Sequence, residues 1–198
     1  MTRTTRRILI SLVLAVTFFM VPRAEAATLN ESGLHVQPWF SDSFLILAED
    51  IEDAAQNGKR LAVFFEQRGC PYCKEMHEVN LARDEISDYI RKHFTVVQLN
   101  LWGSREVTDI DGKAMEEREL ARRWRVNFTP TVVFLPTPDE IAKGETEVAR
   151  MPGYFKPFHF LSMFEFVHQG AYTDQNFQRY LQDKFKRLEA EGKKPEVW

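Results

Sequence analysis

Residues 61–65, Leu61 to Phe65, form an unbroken apolar run with β-type side chains. That is the pattern of a strand covered on both faces. Residues 94–101 repeat it as Phe94-Thr95-Val96-Val97-Gln98-Leu99-Asn100-Leu101, and residues 131–135 do so directly after Pro130. A proline fits the first position of such a strand, not its middle. A weaker strand is expected at 147–151, antiparallel to the run at 131–135 across the turn Pro136-Thr137-Pro138-Asp139. Between the first two strands the spacing turns helical. A helix from Pro71 to about Leu81 would bring Met76 and Val79 to the core, and one capped by Asp84 would carry Ile86, Tyr89 and Ile90 on one face. Strand, helix and strand over this length predict a parallel βαβ unit with a right-handed crossover.

Four more helices follow from the same period. Leu45, Leu47, Ala48, Ile51 and Ala54 define one that starts at Ser41 or Ser43 and stops at Gly58. Leu120, Ala121 and Trp124 face inward from a charged helix over 116–124, and Phe160, Leu161, Phe164 and Val167 line one that Pro157 opens. Thr173 or Asp174 caps the last, in which Phe177, Tyr180, Leu181, Phe185 and Leu188 recur at helical spacing, as expected of a terminal helix docked on a core. Residues 27–40 look irregular, with Trp39 and Phe40 packing down. Residues 102–112 read as a polar insertion, and Asp109-Ile110-Asp111-Gly112 as a solvated turn, since the remaining ligand positions of a calcium loop are missing. No internal repeat, linker or second domain is evident.

The chain has 198 residues, 44% of them hydrophobic, and 16 Phe, enough for one packed domain. Its formal charge is −3; residues 1–26 carry Arg3, Arg6, Arg7 and Arg23 against Glu25, so they hold +3 and the remainder −6. A mildly acidic body offers no electrostatic footprint for nucleic acid. The same 26 residues read as a secretory signal peptide: a basic start, an apolar run at 8–21, and the small-x-small site Ala24-Glu25-Ala26. An uncleaved anchor is the alternative, against which stand the shortness of the run and Pro22. The expected mature domain spans 27–198, is periplasmic, and is a monomer.

Export would place the two cysteines, Cys70 and Cys73, in an oxidising compartment. They lie at the turn between the first strand and the helix that Pro71 opens, since proline suits a first helical position. Cys70 then faces the unsatisfied N–H groups and positive end of that helix, which favours a thiolate. Cys73 sits one turn on, within disulfide reach. A bridge over so short a loop adds little stability, so the pair serves chemistry better than bracing.

Cys70-Pro71-Tyr72-Cys73 after a strand resembles the active site of thioredoxin-fold oxidoreductases, and the middle pair is that of glutaredoxins and some periplasmic disulfide isomerases. Leu120-Ala121-Arg122-Arg123-Trp124-Arg125-Val126 followed by Phe128-Thr129-Pro130-Thr131 resembles that fold's second signature. The similarity covers roughly 61–167. The segment from Phe65 to His77 is most similar to SoxW-type thioredoxins of bacterial sulfur oxidation. The resemblance implies an α/β thioredoxin fold, a mixed central sheet flanked by helices with an added C-terminal helix. It also implies a cis Thr129–Pro130 bond beside Cys70, with Thr129 and Pro130 binding substrate, and no cofactor beyond the redox-active disulfide. Clients would be protein disulfides, reduced with electrons from a membrane thiol carrier of the CcdA/DsbD type.

Departures from the family pattern leave questions open. The buried carboxylate usual six residues before the first cysteine is replaced by Phe64, and Glu66, the nearest acid, is either its substitute or a solvated residue at the strand end. No glycine-rich glutathione turn surrounds Gly153, and the isomerases' dimerisation domain is missing. Disulfide oxidase or isomerase activity therefore remains an alternative to reduction. So does a copper(I) site of Cys70, Cys73 and His77, although a helical histidine is usually hydrogen-bonded surface.

Overall fold

The computed structural model describes residues 28–194. The signal peptide reading and the terminal Trp198 lie outside them. A short hairpin, β1 (Thr28–Leu29) with β2 (His35–Val36), precedes α1 (Leu47–Gln56), so the segment expected to be irregular carries some order. Then come β3 (Arg60–Glu66), α2 (Pro71–Glu75) running into a π-helical turn at Met76–Asn80, α3 (Asp84–His93) and β4 (Phe94–Asn100). The hairpin β5 (Glu106–Thr108) and β6 (Ala114–Glu116) leads to α4 (Glu117–Arg123). The rest is β7 (Thr131–Phe134), α5 (Pro138–Ile141), β8 (Ala149–Pro152), α6 (Pro157–His168), a 3-10 turn at Ala171–Thr173 and α7 (Phe177–Ala190).

The central sheet runs β4-β3-β7-β8. β3 and β4 are parallel, Val63 opposite Val97, while β7 is antiparallel to both β3 and β8. Successive residues of β3 therefore feed opposite faces. Ala62 and Phe64 join Met76, Ile86, Ile90, Phe160 and Phe164 on one side. Leu61, Val63 and Phe65 join Leu47, Ile51, Ala54, Leu120 and Ala121 on the other. Both faces are covered by helices, which is why the run at 61–65 shows no polar alternation. Phe64 alone, fully buried, contributes about 1.5–3 kcal/mol of hydrophobic stabilisation. The mixed sheet, its flanking helices and the terminal helix match the expected α/β architecture.

Several local expectations are corrected. Val79 is 38% exposed, and Asn80 is buried in its place, because the wider π-helical turn brings Asn80 under the core face. Asp84 is the first residue of α3 and Arg83 occupies the cap position; the carboxylate still faces the positive helix end. Asn176, not Thr173 or Asp174, caps α7 by accepting a hydrogen bond from the Arg179 amide at 2.9 Å. Of α7 only Tyr180 is buried; Lys184 adds an ion pair to Glu165 and a 2.9 Å hydrogen bond to Ser162 Oγ. In the turn after β5, Asp109 is buried, accepts from Trp124 Nε1 at 3.3 Å and pairs with Arg123 at 3.1 Å. That carboxylate is a structural anchor, not a solvated turn residue.

Candidate active site

β3 ends at Glu66, and Gly69 makes the turn into α2 with a φ of 70°, a conformation that residues with a Cβ adopt only at a cost. Cys70 follows as the N-cap residue, and its Sγ accepts the Cys73 amide at 3.0 Å. Pro71 stands at the first helical position, where no N–H is needed. Cys70 and Cys73 are joined as a disulfide, with Cα atoms 5.2 Å apart. Cys70 keeps 4% of its surface exposed and Cys73 none, so a reactant reaches Cys70 first.

β7 supplies the other wall. The Thr129–Pro130 peptide is cis. Thr129 Oγ1 donates to Cys70 Sγ at 3.3 Å, and the Thr129 carbonyl oxygen lies 3.6 Å from the same sulfur. The loop is fixed from both ends: Thr131 Oγ1 donates to the Phe128 carbonyl at 2.8 Å, and the Gly153 amide donates to the Pro130 carbonyl at 2.8 Å. Cys70, Cys73, Pro71, Thr129 and Pro130 are thus assembled in one place. Tyr72 is half-exposed and stacks on Tyr154, ring centroids 6.2 Å apart. The Tyr154 hydroxyl donates to Asn80 Oδ1 at 3.1 Å; burial and the neighbouring Glu75 carboxylate push it up to about 12.

Beneath this surface lies a polar cluster that the sequence reading missed. Glu66 has no exposed surface, and neither has His77; both the strand-end and the surface-histidine readings are corrected. Glu66 Oε1 accepts from His77 Nε2 at 2.9 Å and from Gln98 Nε2 at 2.9 Å. Gln37 Nε2 lies 3.2 Å from His77 Nδ1, so both ring nitrogens have a polar partner. Glu66 Oε2 is buried without a hydrogen-bond partner among the described residues. The His35 ring approaches His77 at 5.8 Å, and burial lowers its pKa. Two signals pointed here: Glu66 shares the inward phase of Ala62 and Phe64, and His77 lies four residues beyond Cys73 on one helical stretch.

Both ring nitrogens of His77 are engaged by Glu66 and Gln37, so the imidazole is not presented to the cysteines. That removes the ligand on which the copper reading depended. The pair as it stands can cycle between dithiol and disulfide, with two neutral donors at Cys70 Sγ to stabilise a thiolate.

Comparison with known proteins agrees with this geometry. Residues 47–168 match the model of the thioredoxin-like domain family. Among solved structures, a thioredoxin-fold protein from Helicobacter pylori is 29% identical over 66% of this chain and 82% of its own, with a TM-score of 0.52. A thioredoxin from Thermus thermophilus is 30% identical over 62% of this chain and 83% of its own, TM-score 0.46. The C-terminal domain of DsbD from Neisseria meningitidis, in its oxidised form, is 17% identical over 64% and 96%, TM-score 0.43. No curated protein matches the chain. With its family model covering more than half the sequence and the cysteine pair standing at the strand–helix turn of a mixed four-stranded sheet, the chain belongs to the thioredoxin-like domain family.

Proposed function

We propose that this protein is a periplasmic thiol:disulfide oxidoreductase that reduces disulfides in client proteins. The observation that carries the reading is the convergence on Cys70 Sγ of the Cys73 amide and the Thr129 hydroxyl. Both donate to sulfur at the helix start, where negative charge is favoured. In the reduced protein the Cys70 thiolate attacks one client sulfur, forming a mixed disulfide and releasing the other sulfur as a thiolate. Cys73, deprotonated, then attacks Cys70 Sγ and expels the second client sulfur. Two electrons pass from the pair to the client, which takes up two protons, and the Cys70–Cys73 bond of the present structure is restored. Thr129 and Pro130 border the sulfur and bind the client segment alongside it; Pro71 and Tyr72 shape the entry.

Reduction is favoured over oxidation by what surrounds the sulfur. Strong oxidants owe their potential to an extremely stabilised thiolate. Here the donors to Cys70 are neutral, and Arg68 Nε is turned to the Ser32 carbonyl at 3.3 Å. A potential near that of thioredoxin, about −270 mV, is expected, not one near about −120 mV. Export rests on Arg3, Arg6 and Arg7, the apolar run at 8–21 and Ala24-Glu25-Ala26. Electrons would then come from a membrane thiol carrier of the CcdA/DsbD type, and the similarity of the segment from Phe65 to His77 supports a SoxW-type role in sulfur oxidation. Equilibration with defined glutathione buffers, read as the fraction oxidised, tests direction. A potential near the oxidant end, or a pair that stays oxidised in cells whatever carrier is present, leaves oxidase or isomerase as the function. Trapping on a Cys73→Ser variant identifies the clients.

A further inference from the structure

Trp102 stands beside the cysteine loop with 65% of its surface exposed. A ring of that size would normally be buried, and its exposure forgoes a large apolar contribution. Yet the ring is tied in place: indole Nε1 donates to Gln67 Oε1 at 2.7 Å, three residues before Cys70. Its backbone is held as firmly. The Trp102 amide donates to Asn100 Oδ1 at 3.0 Å and the Gly103 amide to the Asn100 carbonyl at 2.9 Å.

The support beneath is a carboxylate with 1% of its surface exposed, Glu117. It accepts from the Asn100 amide at 2.9 Å, the Arg105 amide at 3.3 Å, and the Arg105 guanidinium at 3.1 and 2.6 Å. Gly103 is required by the same arrangement, since a Cβ there would lie 1.9 Å from Glu117 Oε2. A buried charge and an obligatory glycine thus stabilise a loop whose outward product is an exposed, orientationally fixed tryptophan. A fixed aromatic loses little entropy when a partner covers it, and such rings dominate recognition energies.

The topology says what can cover it. Trp102 follows β4, Phe128 precedes β7, and both strands flank β3, whose end leads to Cys70. Phe128 is 58% exposed. With strands about 4.8 Å apart, the strand ends that lead to the two residues lie roughly 10 Å from each other across β3, the reach of about three residues of extended chain. A client polypeptide can lie across that end with residues on both sides of its cysteine, whereas a small disulfide carries no flanking side chain to meet either ring.

We propose that Trp102 is a specificity-determining contact for polypeptide clients, packing against an apolar side chain a few residues from the client's reactive cysteine. The inference rests on the oxidoreductase reading above. Its test compares three disulfides under dithiothreitol turnover: a peptide disulfide carrying Leu three residues from cysteine, the same peptide with Ser there, and bis(2-hydroxyethyl) disulfide. The wild type is expected to prefer the Leu peptide several-fold in kcat/KM. Trp102→Ala should lose that preference, reducing the Leu peptide about tenfold more slowly, on the scale of a moderate hot spot, with hydroxyethyl disulfide turnover unchanged. Trp102→Phe should fall between. A wild type indifferent to Leu against Ser overturns the inference without any variant, and so does a Trp102→Ala loss equal for all three disulfides. No turnover of any disulfide by the wild type overturns the oxidoreductase reading itself.

Discussion

Glu66 and His77 meet at 2.9 Å, at a depth where neither has any contact with solvent. One ends the central strand and the other lies a turn beyond Cys73, so the bond ties the sheet to the active-site helix. Removing one partner of a buried hydrogen bond leaves the other unsatisfied and costs about 1–3 kcal/mol, more where the group left behind is charged. His77→Ala should lower the unfolding free energy by that order in urea titration, whereas Glu66→Gln, which keeps an acceptor for the His77 N–H, should cost less. A His77→Ala loss below about 1 kcal/mol would show that the pair is not a structural tie.

At Cys70 the Thr129 hydroxyl, 3.3 Å from sulfur, donates a hydrogen bond that a thiolate would hold more strongly than a disulfide sulfur does. Thr129→Val removes the donor at nearly constant volume. If that bond is worth about 1.5 kcal/mol, iodoacetamide labelling of Cys70 in the reduced protein near neutral pH should slow by about tenfold. In the unsubstituted protein Cys70 should label well before the fully buried Cys73. Equal rates in Thr129→Val and the parent would remove Thr129 from the activating set.

The strands and most helices could be read from the sequence because each is written locally, in an apolar run or a helical period. The cysteine loop and Thr129–Pro130 could be read for the same reason: each lies in a short segment with its own chemistry. The Glu66 cluster could not. Its members, Gln37, Glu66, His77 and Gln98, come from four segments, and although Glu66 and His77 each stand out alone, nothing local pairs them or brings in Gln37 and Gln98. Val79 misled because helical spacing from Met76 admits position 79 or 80, and only the π-helical turn chooses Asn80. The α7 cap was displaced to Asn176 because the 3-10 turn at Ala171–Thr173 uses the earlier candidates. Trp102 was assigned to a polar insertion, since nothing near it in sequence announces the Glu117 carboxylate that holds its loop.

Glu140 gives the protein an acid-sensitive tie between β3, α5 and the 3-10 turn. Burial pushes its carboxyl up, but hydrogen bonds from Arg60 and Tyr172 outweigh that and hold it at about 2, against an ordinary 4.5. Arg60 contributes two of these bonds, at 2.8 and 3.0 Å. A carboxyl lowered by folding contributes stability that is fully present above its unfolded pKa and lost as pH falls through its folded one. Glu140→Gln should therefore destabilise by about 1–3 kcal/mol at pH 7, and the gap from the parent should close between pH 4.5 and about 2. A gap independent of pH over that window would mean that the ion pair is not the source.

A second pH dependence, nearer neutrality, is expected from the facing ends of α3 and α6. The His93 and His168 rings pack with centroids 3.7 Å apart, and the Tyr89 hydroxyl lies 2.9 Å from His168 Nδ1. Burial lowers both histidines from 6.5; mutual repulsion and Lys92 add to this at His93, and Arg60 and Lys92 at His168. The unfolded chain therefore binds protons on these rings more readily than the folded one. By linkage the pair stabilises the fold above pH 6.5, and that contribution declines as pH falls below it. Tm should drop between pH 7 and pH 5, and the His93→Gln, His168→Gln double variant should show a shallower drop. Because burial is the larger cause at both rings, the difference in slope should survive at about 1 M salt, where the Debye length is only about 3 Å. Slopes that coincide with the parent's at low salt would show that the histidine pair titrates alike in the folded and unfolded chains. A difference that vanishes in high salt would assign it to Lys92 and Arg60 in place of burial.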